Sequence, residues 1–167
     1  LGADGPVARG EDGVIAVHRD DPGLMLGYLG QPEETAARFR GDWFVTGDQG
    51  RMGRDGQVHY LGRADDMMNA GGYRVSPLEV EAAFAGYPGI DQIGVTEIEV
   101  KPDVRVIMAF YTGPAPLDHE ALRRFADERL ARYKQPRDYV HMPELPASPN
   151  GKLIRRALRP PAAAPQA

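Results

Sequence analysis

Three short stretches of the chain carry residue types that can do chemistry. The first is Thr46, Gly47 and Asp48, directly after the apolar Trp43, Phe44 and Val45. A carboxylate fixed at a strand end can accept two hydrogen bonds from a ribose diol, which a wandering side chain does poorly. The second is GRADDMMNAGGYRVSPLEVE, residues 62–81. Gly71 and Gly72 let the backbone approach a ligand or another segment closely, while Arg63 and Arg74 offer donors for phosphate or ribose oxygens. The third is PASPNGK, residues 146–152, a stiff turn that presents Lys152 at its end. It is not a Walker loop, because one glycine precedes the lysine and Leu153 follows it. An ammonium placed there can stabilise charge as an acyl phosphate forms, provided water is excluded. Taken singly, each stretch fits an ordinary turn better than a site. Asp after Gly is common turn chemistry, Gly-Lys pairs lie on surfaces, and isolated arginines are usually solvated or paired with acids such as Asp65 and Asp66.

The surrounding elements must hold those side chains in place. Residues 13–18 read as a short strand, residues 20–23 as a turn, and residues 32–39 as one or two helical turns opened by Pro32. Residues 43–46 and the alternating Val58 and Tyr60 resemble a hairpin about the Gly-bounded turn at 53–56, so the chain up to Gly62 is mostly β. The texture then changes. Ser76, Pro77 and Glu79 form a capping box, followed by Val80, Ala83, Phe84 and Tyr87 at helical spacing and ended by Gly86 and Pro88. Val104, Val106, Met108 and Phe110 alternate with Arg105, Ile107, Ala109 and Tyr111 as in a strand. Asp118 can cap a second helix with Leu122, Phe125, Ala126, Leu130 and Tyr133 on one face, and residues 139–142 add a last strand. The expected fold class is α+β. It has a β-rich piece over residues 1–63, a hinge at residues 64–65, a small domain with a central sheet flanked by helices over 66–160, and a disordered tail over 161–167.

Composition bounds the function classes. With 42% hydrophobic and 26% charged residues the chain should fold, and 20 Gly with 15 Pro are too many for a helical bundle. A net charge of −4 with both signs interspersed leaves no basic stripe for nucleic acid. Zero cysteine removes thiolate chemistry and disulfides and fits a cytoplasmic setting. No apolar run approaches the roughly 20 residues of a membrane span. His18, His59, His119 and His141 lack metal-ligand spacing and read as packing or surface residues; Met67 and Met68 read as filler. The opening at Leu1, without Met and inside a Gly/Asp/Pro connection, points to a piece of a longer protein.

Singly weak, the three clusters occur in one order. That order resembles the AMP-forming synthetase superfamily of acyl-CoA synthetases, peptide-synthetase adenylation domains and luciferases. The resemblance runs from about Gly10 to Leu158. It includes the lead-in GVIAVHRDDPGLMLGYLGQPEETAARF, FVTGD, the run from GRADD to EVE, LARYKQPR, and PASPNGKLIRRAL. Departures fall at residues 100–104, where the family usually has a Gly/Glu-containing turn, and at Gln49-Gly50 after Thr-Gly-Asp.

The resemblance implies that residues 1–63 are the end of a large N-terminal adenylation domain, otherwise missing, and that residues 66–160 are a mobile lid turning about Asp65. It implies that Asp48 holds the ribose hydroxyls of ATP with help from Arg63. Lys152 would contact the carboxylate substrate and the α-phosphate while acyl-adenylate forms. Gly71, Gly72 and Tyr73 would line the pantetheine tunnel for CoA, and Arg74 would lie near the phosphates or the CoA face. The implied reaction is carboxylate plus ATP plus CoA giving acyl-CoA, AMP and pyrophosphate, with Mg²⁺ assisting; the isolated piece would be inactive. The Lys152 motif also resembles one acetylated in such synthetases, implying a lysine acetyltransferase and deacetylase as partners. Two alternatives stay open: an adenylation domain loading a carrier protein, and a non-catalytic interaction module with the lid fold.

Overall fold

The structure, a computed structural model, describes residues 1–3 and 5–160; the tail expected over 161–167 lies outside the described residues. The described chain is α+β, and it divides into two compact units, Leu1–Asp65 and the remainder from Asp66 onward.

The first unit is an antiparallel sheet built from β1 (Asp12–His18), β2 (Phe39–Arg40), β3 (Trp43–Met52) and β4 (Val58–Arg63), with one six-residue helix, α1 (Pro32–Ala37). β3 is the organising strand, because β1, β2 and β4 all pair with it. Its first residues are aromatic and β-branched types that suit a pleated, half-buried surface. Trp43 meets His18 edge-on at 4.9 Å between ring centroids, and Phe44 meets Phe39 at 5.6 Å. The β3–β4 turn closes through the Gly53 N–H to the Gln57 carbonyl, 2.8 Å, and the Asp55 carboxylate accepts from the Gln57 N–H. The pairing that starts at this turn shifts by one residue between Gln49 and Gly50, skipping Leu61, and that irregularity brings Asp48 opposite Arg63.

The second unit opens with a short hairpin, β5 (Met68–Ala70) and β6 (Tyr73–Val75), and continues through α2 (Pro77–Ala83) into the sheet β7 (Gln92–Lys101), β8 (Val104–Thr112) and β9 (Asp138–His141). β7 and β8 are antiparallel, β8 and β9 parallel, and α3 (His119–Asp127) lies in the β8–β9 crossover. The helix starts follow the capping chemistry read from the sequence: Ser76 Oγ accepts from the Glu79 N–H and an Asp118 carboxylate oxygen from the Glu120 N–H.

β8 explains the core. Ile107, Ala109 and Tyr111 on one face join Val80 and Phe84 of α2, Leu122 and Ala126 of α3, and Val95 and Tyr139 of the neighbouring strands. Met108 and Phe110 on the other face join Leu158, with Ile98 and Leu153 packed against them. A central strand covered on both sides must be apolar throughout, which is why its alternation is not hydrophobic against polar. Two elements depart from the sequence expectation. The stretch 67–72, read as a loop, forms most of the β5–β6 hairpin, and β7 carries no strand expectation at all. In β7, Glu97 and Glu99 interrupt the apolar pattern because they pair across the strands with Arg105.

Candidate functional site

The first group of chemistry-bearing residues is set by the β3–β4 register. Asp48 and Arg63 are cross-strand partners, and Arg63 NH1 lies 3.2 Å from Asp48 Oδ1. The same guanidinium donates to the Thr46 carbonyl at 3.3 Å and faces Asp65 at 3.4 Å. Thr46 is anchored in turn, its hydroxyl donating to the Ile15 carbonyl of β1 and accepting from the Asp48 N–H. Gly47 makes this possible. Its φ is +84°, and a Cβ there would lie 2.9 Å from Arg63 NH2, so only glycine lets the guanidinium lie across the strand. Partial desolvation works against the charge on Arg63, but Asp65 and Asp48 outweigh it and raise the guanidinium above its ordinary value. The outcome is a carboxylate held by one oxygen, with its side chain still 32% exposed. An anionic acceptor fixed in this way suits a diol, since no further ordering is needed when the ligand arrives.

The second group lies on the β5–β6 hairpin. Gly71 and Gly72 have φ of +59° and +89°, the conformation a two-residue hairpin turn of this twist demands, and the Gly72 N–H donates to Asn69 Oδ1 at 3.0 Å. Nothing lies within 4 Å of where a Cβ would stand on either glycine, so backbone conformation, not crowding, accounts for them. Tyr73 and Arg74 are exposed, and the Tyr73 ring lies 4.7 Å from that of Tyr133. Tyr133 is a neighbour the sequence reading placed only on a helix face. It instead lies in the 3-10 turn Arg132–Lys134, and Lys134 beside it is paired with Glu79.

Lys152 stands apart on its own loop. Ala147 and Leu153 form an antiparallel bridge, the Ser148 N–H donates to the Lys152 carbonyl at 2.8 Å, and the Lys152 N–H donates to Ser148 Oγ at 3.2 Å. Gly151 supplies the turn with φ +77°, and the Ile154 N–H returns to the Pro146 carbonyl. The backbone of Lys152 is therefore fixed while its side chain is exposed and has no ion-pair partner among the described residues. Asp48, Arg63 and Asp65 thus meet in the first unit, Gly71 to Arg74 share one hairpin of the second, and Lys152 occupies a separate loop of that unit. Among the described residues no group of three or more acidic or histidine side chains could hold a metal ion.

Fold and loop together define the class. Residues 79–152 match the family model of the AMP-binding enzyme C-terminal domain. Over 157 residues the chain is 41% identical to a 2-succinylbenzoate–CoA ligase of Geobacillus kaustophilus, covering 92% of this chain and 31% of that protein. It is 38% identical over 144 residues to a dimodular nonribosomal peptide synthase of Bacillus subtilis, covering 81% of this chain and 6% of that one. Among solved structures it superposes on O-succinylbenzoate coenzyme A synthetase of Bacillus subtilis, determined in complex with ATP and magnesium. The TM-score is 0.85 and the identity 28%, over 95% of this chain and 32% of that chain. Residues 79–152 thus carry the AMP-binding enzyme C-terminal domain, and over most of its length the chain is similar to the C-terminal part of AMP-forming acyl-CoA synthetases. It spans about a third of the length of the CoA ligase it matches.

Proposed function

We propose that this chain supplies the ribose-binding strand and the lysine-bearing lid of an ATP-dependent carboxylate–CoA ligase. The observation that carries this reading is the Asp48–Arg63 pair, a carboxylate immobilised on a strand by one oxygen and open to a ligand at the other. In the first half-reaction a carboxylate oxygen of the substrate attacks the α-phosphorus of ATP, the α–β bond breaks, and pyrophosphate leaves. Asp48 accepts from the ribose hydroxyls and Arg63 holds Asp48 in place. Lys152 lies against the carboxylate and the α-phosphate, offsetting negative charge that gathers there. In the second half-reaction the CoA sulfur attacks the acyl carbon and AMP departs with the electron pair. Gly71 and Gly72 let the pantetheine arm pass close to backbone, Tyr73 lines its path with its ring held by Tyr133, and Arg74 faces the phosphates.

The two steps ask different groups to approach one acyl phosphate, and rotation about Asp65 lets each set in turn exclude water. The residues outside this chain must supply the acyl pocket, so the 167-residue chain alone is expected to fold without adenylating acids. Lys152 is exposed and fits a site of reversible acetylation, which would remove its charge and stop the first step. The absence of cysteine fits the cytoplasm, and no helix of the described residues is long and apolar enough to cross a membrane.

The similarity to a peptide synthase favours a second reading, in which the thiol belongs to a carrier protein. The test is carboxylate-dependent pyrophosphate release by the full-length protein over an acid panel, with CoA and a loaded carrier protein offered separately. Lys152→Ala should reduce pyrophosphate release to a small residual rate and leave thioester formation from pre-made acyl-adenylate intact. Equal activity of wild type and Lys152→Ala in the first step would overturn the assignment.

A further inference from the structure

Among the described residues the least exposed ion pair joins Glu81 of α2 to Arg155, three residues beyond Lys152, with side chains 13% and 12% exposed. Both carboxylate oxygens of Glu81 are used. One accepts from Arg155 NH1 and from the Val95 N–H of β7, and the other accepts from Arg155 NH2 at 2.9 Å. Arg155 NH1 also donates to the Val95 carbonyl at 3.3 Å, and its Nε lies 3.7 Å from Asp66, the first residue of the second unit. One ion pair thus occupies both backbone groups of a residue on an edge strand. Between Lys152 and Arg155, Leu153 is seated over Gly94, where a Cβ would lie 2.8 Å from a Leu153 methyl group. The chain leaving Lys152 is fixed first by packing and then by charge.

A nearly buried ion pair is a poor device for stability alone, since well-packed apolar side chains often serve as well. It is a good device for fixing position, because the planar guanidinium fork meets a carboxylate in one geometry. We infer that Glu81 and Arg155 are positioning residues for Lys152, holding the base of its loop so that the ammonium arrives at the reacting carboxylate in register. The inference rests on the reading of Lys152 as the adenylation lysine.

The test uses the full-length protein and follows pyrophosphate release and thioester formation from pre-made acyl-adenylate separately, with thermal melting of each variant. Arg155→Met should slow the first step about 10- to 100-fold, the scale of a catalytic group misplaced by an ångström, and leave the second step within about twofold. Arg155→Lys should recover part of the loss. Glu81→Gln, which keeps the shape of the side chain, carries the same test should Arg155→Met fail to fold. The decisive comparison is with Lys152→Ala: adding Arg155→Met to it should cost nothing further. Equal losses in both half-reactions, an unchanged first step, or a further loss in the double variant would overturn the inference. If Lys152→Ala itself adenylates normally, the functional reading falls and this inference with it; if Lys152→Ala loses the first step and Arg155→Met keeps it at the wild-type rate, only the inference falls.

Discussion

Asp48→Asn isolates what a fixed carboxylate does for nucleotide binding. The substitution keeps the side-chain shape and one acceptor oxygen but removes the charge and turns the other acceptor into a donor. A hydrogen bond to a charged group contributes about 1.5–3 kcal/mol. Losing one toward the ribose should therefore raise the KM for ATP about 10- to 150-fold. Stability should barely move. The Asp48–Arg63 pair is 32% and 44% exposed, Arg63 keeps Asp65 at 3.4 Å, and exposed pairs of this kind contribute at most about 1 kcal/mol. The assay is pyrophosphate release by the full-length protein against ATP and 2′-deoxy-ATP, with melting curves alongside. Removing the 2′-hydroxyl should cost the wild type about tenfold and Asp48→Asn much less, because the two changes remove one interaction. A KM for ATP within about twofold of wild type, or a full penalty for the deoxynucleotide in the variant, would refute the assignment of Asp48 to the ribose.

Three further outcomes test the frame that carries the site. Gly47→Ala places a methyl group 2.9 Å from the Arg63 guanidinium in a left-handed backbone conformation. It should cost about 1–2 kcal/mol in urea unfolding and weaken ATP binding together. Gly94→Val should displace Leu153 and Leu158 and lower stability by about 1–3 kcal/mol, read from the urea midpoint. Tyr139 is buried among Phe84 and the residues of α3, and burial pushes its phenol up to about 12. The unfolded chain ionises this group near pH 10. Its neutral form therefore contributes stability that is fully present below about pH 10 and lost as pH rises toward 12. Tyr139→Phe should flatten the loss of stability over that window, measured by denaturant unfolding at successive pH values.

How much of this was legible in the sequence depends on whether the cause was local. The caps at Ser76 and Asp118, the turn glycines at 71 and 72, and the apolar run of β8 each announce themselves within a few residues, and each stands where the sequence puts it. β7 does not, because its glutamates are satisfied by Arg105 on the next strand, and a pattern that depends on a cross-strand partner looks like a loop until the partner is known. The same reasoning applies at the site. Thr46, Gly47 and Asp48 look like a turn because the reason for glycine, the guanidinium of Arg63 lying over it, arrives from the neighbouring strand. Glu81 and Arg155 are 74 residues apart, and no spacing rule connects them. What a short motif shows is which residue types are present; on the role proposed for Lys152, the distant packing that fixes its loop would set it apart from a surface lysine. The ion pair and Gly94 are therefore the places where a change remote in sequence should be felt at that lysine, and where a resemblance carried by short motifs meets its physical test.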